Sequence, residues 1–203
     1  MKSFDKFISI MTLGLLAPVI LTLLFWWGSI PFAMGNDQLI MRLAFTGLIA
    51  GIVLDFTLLR RFIGKLYELP LPALAAVEIF YSIMVYGFFM GFPVFNAIVG
   101  ILGGYIVTRR GILRNASPAE VLKNTKYIIR LSTVILLFLC VCTAALALGE
   151  STICAEVKGM FKLPFDVNMK MIWAMILIGG ISLLIFQYFL SKLVSMRVLK
   201  KAC

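Results

Sequence analysis

The sequence contains no histidine. That removes the commonest general base at neutral pH and the commonest metal ligand, so serine-type triads, haem ligation and His-based zinc sites are excluded. Any chemistry would have to run on carboxylates, Lys, Tyr or Cys. Cysteine is sparse, four in all, with no C-x-x-C spacing. Cys140 and Cys142 lie two apart in an apolar stretch, so on a helix they point to different faces and do not chelate one metal; they read as small buried hydrophobes. A disulfide scaffold is excluded as well, and no cofactor is expected. Charge is scarce, at 14% of residues, and acidic residues scarcer still, with nine Asp and Glu against 19 Lys and Arg. An ordinary soluble domain is about a quarter charged.

Apolar residues stand in place of charge, 62% of the chain, at a mean hydropathy of +1.05. A chain of 203 residues does not bury that much apolar side chain in one aqueous core, because small domains keep a large surface for their volume. The expected fold is all-α: a single polytopic integral membrane domain over 1–203. Spanning the hydrocarbon takes about 20 apolar residues. Six stretches meet or approach that length, at about 8–28, 39–59, 71–91, 93–108, 127–148 and 170–191. The fourth is short, and Gly91-Phe92-Pro93 before it reads as the turn of a hairpin. The first apolar run is too long for a signal-peptide core and ends in Trp26-Trp27, which fits an interfacial belt, so it is read as a retained helix.

The net charge of +10 does not predict a nucleic-acid partner, since most Lys and Arg lie between the apolar stretches. Counting by side places fourteen of them together: Lys2, Lys6, Arg60, Arg61, Lys65, Arg109, Arg110, Arg114, Lys123, Lys126, Lys192, Arg197, Lys200 and Lys201. Arg42, Lys158, Lys162 and Lys170 face them, with Arg130 at the base of the fifth stretch. Basic loops stay cytoplasmic, so both termini are expected on the cytoplasmic side of a plasma-type membrane. Within the 109–126 loop, Ser117-Pro118-Ala119-Glu120 forms a capping box, predicting a short capped helix that runs into the fifth span. The 149–167 segment is the only sizeable outer loop, a lid or partner-docking surface. Gly47 and Gly51, and Gly100 and Gly104, have the small-x-x-x-small spacing of closely packed membrane helices.

Gly28-Ser29-Ile30-Pro31-Phe32 resembles the opening of the bacterial acyl-phosphate glycerol-3-phosphate acyltransferases, over five residues alone. The glycine-rich phosphate loops and the histidine of that family are absent, and no assignment is drawn from it.

An ionisable residue inside the bilayer costs about 2.5–3.5 kcal/mol on insertion scales and marks a functional candidate. Asp55, in the second stretch, sits about one turn from Arg60 and Arg61, and pairing with them would explain it. Glu78 lies six residues past Pro72, roughly 9 Å deep at 1.5 Å per residue, among Ala75, Ala76, Val77, Ile79 and Phe80. One satisfied hydrogen bond or ion pair holding the bundle would explain it; ligand, ion or proton binding is the alternative. Asp55, Glu78, Tyr105, Thr108, Arg130, Gln187, Tyr188 and Ser191 all fall in the cytoplasmic half of their helices. Converging helices would make them a polar pocket, with Tyr81 on the Glu78 face and Arg130 as counter-ion. Asn96 reads as a packing hydrogen bond.

Three functions fit these residues. The first is transport of a small solute or ion, or a substrate-binding membrane subunit, through Glu78, Asp55, Arg130, Tyr81, Gln187 and Tyr105. The second is a non-catalytic membrane subunit or assembly factor of a larger complex. The third is an intramembrane enzyme acting on a lipid through its two carboxylates. Membrane lipid is the expected surrounding partner, and a homo-oligomer or a larger membrane complex the expected assembly.

Overall fold

Eight α-helices account for nearly all of the chain in the computed structural model, which describes residues 3–33, 36–62, 65–89, 93–160 and 162–201. They are α1 (Ser3–Gly14), α2 (Leu16–Ala33), α3 (Asp37–Phe62), α4 (Leu71–Phe88), α5 (Asn96–Leu113), α6 (Pro118–Gly149), α7 (Ile153–Met160) and α8 (Met169–Lys200). Single 3₁₀ turns at Lys65–Glu68 and Pro93–Phe95 precede α4 and α5. No strand forms among the described residues.

Local chemistry explains the breaks. The first predicted span is broken at Leu15 into α1 and α2. Pro18 is the cause: it has no N–H for the Gly14 carbonyl, and its ring crowds that carbonyl. Asn36 starts α3, its side chain accepting a hydrogen bond from the Leu39 N–H at 3.1 Å. Asn168 does the same for α8 through the Met171 N–H at 3.0 Å. The turn at residues 91–92 lies outside the described residues.

Between α5 and α6 the chain leaves the helix only briefly. The Ala116 N–H reaches the Gly111 carbonyl and the Asn115 N–H the Ile112 carbonyl, with Asn115 at φ 52°. That pairing is a Schellman stop, and Asn is among the few residues that take its left-handed position readily. Ser117 then accepts from the Glu120 N–H at 3.3 Å, and α6 runs unbroken from Pro118 to Gly149. Most of the sequence read as the 109–126 loop is therefore helix, because helical hydrogen bonding continues where the apolar run stops.

Five segments are long and apolar enough to cross a membrane: Ser3–Ala33, Asp37–Thr57, Leu71–Phe88, Pro118–Gly149 and Met169–Lys200. The α5 helix is not among them, since Asn96, Thr108, Arg109 and Arg110 fall within its eighteen residues. Large apolar side chains cover the outside of these helices, among them Phe56 (78% exposed), Trp27 (72%) and Ile178 (68%). A surface of that kind suits hydrocarbon rather than water.

The chain divides into two compact units, Met1–Leu69 and Pro70–Cys203. In the first, α2 lies along α3, and Gly51 sits against the backbone of Ala17 and Pro18. In the second, α5 is the central element, packed on α4, α6 and α8. Nine of its eighteen residues are buried, against four of thirty-two in α8, so α5 is sheathed by its neighbours.

Candidate functional site

The centre of the second unit is polar. Along α5, Asn96, Gly100, Gly104 and Thr108 recur every four residues and form one stripe. Along α8, Gln187, Ser191 and Ser195 do the same. The two stripes face each other in the same direction: a Cβ on Gly100 would overlap Gln187 Nε2, and one on Gly104 would come 3.0 Å from Ser195 Oγ. Glycine is required at 100 for this reason, because Gln187 occupies the space a side chain would take.

Glu78, from α4, enters the same layer. It is 5% exposed and lies over Gly103, where an added Cβ would meet its Cδ, Oε1 and Oε2 at 2.9 Å each. Ser132 on α6 closes the other side, its Oγ hydrogen-bonded to Glu78 Oε1. The same Oγ lies 2.8 Å from the Ile128 carbonyl. A hydroxyl has one proton to donate, so the two contacts describe two arrangements. Either Ser132 donates to an ionised Glu78, or Ser132 donates to Ile128 while a neutral Glu78 donates to Ser132.

Several groups along this seam have no partner among the described residues: Glu78 Oε2, Gln187 Oε1, Asn96 Oδ1, Ser191 Oγ and Ser195 Oγ. Gln187 is 1% exposed and Ser191 fully buried. Buried polar atoms are normally paired, and each exception carries a cost of about 1–3 kcal/mol. The paired groups nearby define the ends of the seam. Asn96 Nδ2 donates to the Ser82 carbonyl at 2.7 Å, and Thr108 Oγ1 and Thr125 Oγ1 meet at 2.9 Å. Beyond Thr108, Thr125 and Ser195 a cavity of about 280 Å³ opens, lined by those three residues together with Lys126, Arg130, Tyr188 and Lys192.

Comparison with known proteins finds no matching family model, no matching curated protein and no matching solved structure. What the site can do therefore rests on its own geometry.

The structure brings Glu78 and Gln187 into one buried layer and sends Arg130 elsewhere. Arg130 is exposed and lines the cavity, and among the described residues Glu78 makes no ion pair. Helical geometry explains the difference from the expected counter-ion: two residues turn about 200°, so a Ser132 that faces Glu78 turns Arg130 away. Tyr81 is half-buried with its ring edge-to-face on Phe80, and Tyr105 is half-buried about 100° around α5 from Gly104. Asp55 is half-buried on α3, in the other compact unit, and the side chain of Arg60 lies outside the described residues.

Ser132 and Ser195 were not among the candidates read from sequence. A serine in a membrane helix usually bonds its own helix four residues back, as Ser132 also does, and so gives no signal by itself. The four-residue spacing of Gln187, Ser191 and Ser195 was the available clue for Ser195. Among the described residues no three Cys, Asp or Glu gather to hold a metal ion. The donor set is one carboxylate with neutral amide and hydroxyl oxygens, suited to a proton or a singly charged cation rather than a strongly bound divalent one.

Proposed function

We propose that this chain is a small multi-pass transport protein, or the substrate-binding membrane subunit of one, for a small solute or ion. A cation, the proton included, fits best. One observation carries the reading: among the described residues the buried Glu78 carboxylate has no basic partner and its Oε2 is unpaired, in a seam where Gln187 Oε1 is unpaired as well. A carboxylate that served only to hold the bundle together would be expected to have its oxygens satisfied. One left open, in a layer of other open oxygens, is the arrangement of a site that takes up a cation.

In this reading α5 is a sixth crossing, shielded from lipid by α4, α6 and α8 and so free to carry Asn96 and Thr108. Six crossings put both termini on one side. The fourteen basic residues that then share that side, against five elsewhere, favour a cytoplasmic orientation in a plasma-type membrane. Glu78 moves between the two hydrogen-bonded arrangements with Ser132 as its proton or cation comes and goes.

The test is flux through the purified chain in sealed liposomes, read with a lumenal pH dye under imposed proton, sodium and potassium gradients. The wild type is expected to dissipate at least one gradient. Glu78→Gln, with unchanged helical circular dichroism, is expected to abolish that flux, and Glu78→Asp to retain part of it. Wild-type flux no greater than that of empty liposomes, or unaltered flux in Glu78→Gln, overturns the proposal. A stoichiometric second protein retained from the native membrane, with no flux in its presence, would favour the accessory-subunit reading instead.

A further inference from the structure

The cavity at the end of the seam has a chemistry of its own. Lys126 and Arg130, one turn apart on α6, and Lys192 on α8 all line it, and no Asp or Glu does. The three exposed cations stand around one half-open cavity, and an anion between them would be attracted to all three. Hydroxyls supply the remaining polar lining: Thr108, Thr125, Tyr188 and Ser195. Ser195 is the informative one. It is 3% exposed and its Oγ, which lies against Gly104, has no hydrogen-bond partner among the described residues, so an unsatisfied hydroxyl stands where the seam meets the cavity. Leu122, Ile129, Met196 and Leu199 complete the wall and add an apolar portion to it.

We propose that this cavity binds a phosphate oxyanion, supplied by the headgroup of an anionic phospholipid. The cations and the Ser195 and Tyr188 hydroxyls match the phosphate oxygens, with Arg130 able to donate two parallel hydrogen bonds. Leu122, Ile129 and Met196 match the glycerol and the start of the acyl chains. The site lies at the basic end of α6 and α8, where Lys123 and Arg197 stand nearby in sequence, the position at which basic pockets between membrane helices meet headgroups. The lipid would sit at the mouth of the polar seam, touching Thr125 and Ser195, and so govern access to it. The binding itself does not depend on Glu78 carrying a cargo.

Native mass spectrometry of the full chain tests this after exchange into detergent with phosphatidylglycerol, with phosphatidylcholine of the same acyl chains, or with inorganic phosphate alone. Retention of one phosphatidylglycerol in preference to phosphatidylcholine is expected. Arg130→Gln should lower its apparent affinity about fivefold, and the triple change Lys126→Gln, Arg130→Gln, Lys192→Gln should abolish the preference. Lys200→Gln with Lys201→Gln, outside the cavity, and Glu78→Gln should leave it unchanged. Should the triple variant fail to fold, by circular dichroism and gel filtration, Arg130→Gln and Ser195→Ala serve in its place. Equal retention of the two lipids overturns the proposal, whether or not inorganic phosphate alone binds. So does a phosphatidylglycerol preference that survives in the folded cavity variants.

Discussion

Gly103 and Glu78 should be coupled energetically, and the sign of one substitution should reverse with the other. Replacing a helical glycine by alanine ordinarily stabilises by about 0.8–1 kcal/mol. At Gly103 the three atoms nearest the new Cβ all belong to Glu78, at 2.9 Å, closer than real Cβ contacts allow. The carboxylate is the movable end of its side chain, but it is buried and bonded to Ser132, and in the ionised arrangement displacing it breaks a hydrogen bond to a charged group worth about 1.5–3 kcal/mol. Gly103→Ala should therefore destabilise the wild type by roughly 0.5–2 kcal/mol. In a Glu78→Ala background the obstructing atoms are gone, and the same change should stabilise by about 0.8–1 kcal/mol. The coupling between the two sites is then about 1.5–3 kcal/mol, at the upper end of what contacting residues show. Reversible unfolding of the four proteins in mixed micelles, followed by tryptophan fluorescence, measures it. If Gly103→Ala costs the same in both backgrounds, Glu78 does not lie over α5 as described, and the seam loses its central contact.

The helices were legible in the sequence because hydrophobic runs of membrane length leave few other folds open. Their ends were not, since the apolar signal stops at the hydrocarbon boundary while the backbone hydrogen bonds continue. The α6 helix begins nine residues before its predicted span and α8 ends nine residues after. The break at Leu15 follows from Pro18, an element breaker inside an apolar run whose length alone predicts one unbroken span. For the site, depth could be read and rotation could not. Glu78 and Gln187 share a layer because both rise to a similar level and both turn inward. Arg130 rises to that level too, yet it faces the cavity, since only the rotation of α6 decides between Arg130 and Ser132. Gly103 leaves room for a carboxylate that a sequence cannot place above it.

Two further perturbations probe the two compact units separately. Gly51→Ala would put a Cβ into the backbone of Ala17 and Pro18, which cannot rotate away as a side chain can. It should destabilise by about 1–3 kcal/mol, whereas Gly180→Ala, with open space around it, should be neutral or stabilising in the same unfolding assay. Outside the spans, Lys158 Nζ and Asp166 Oδ1 pair at 2.5 Å across the turn after α7. The hydrogen bond from Lys158, and then its charge, hold the Asp166 carboxyl below its ordinary 3.8. A carboxyl lowered by folding contributes order that is complete above its unfolded value and is lost as pH falls through the folded one. The pair is solvent-exposed, so its effect is local and weakened by salt. Hydrogen exchange over residues 158–166 should therefore be flat from neutral pH down to about 4 after correction for intrinsic rates, and should show loss of protection below that. Asp166→Asn should already show the low-pH behaviour at pH 7. Protection in Asp166→Asn equal to that of the wild type at pH 7 would mean that the left-handed turn at Lys162, with φ 48°, holds this segment without the ion pair.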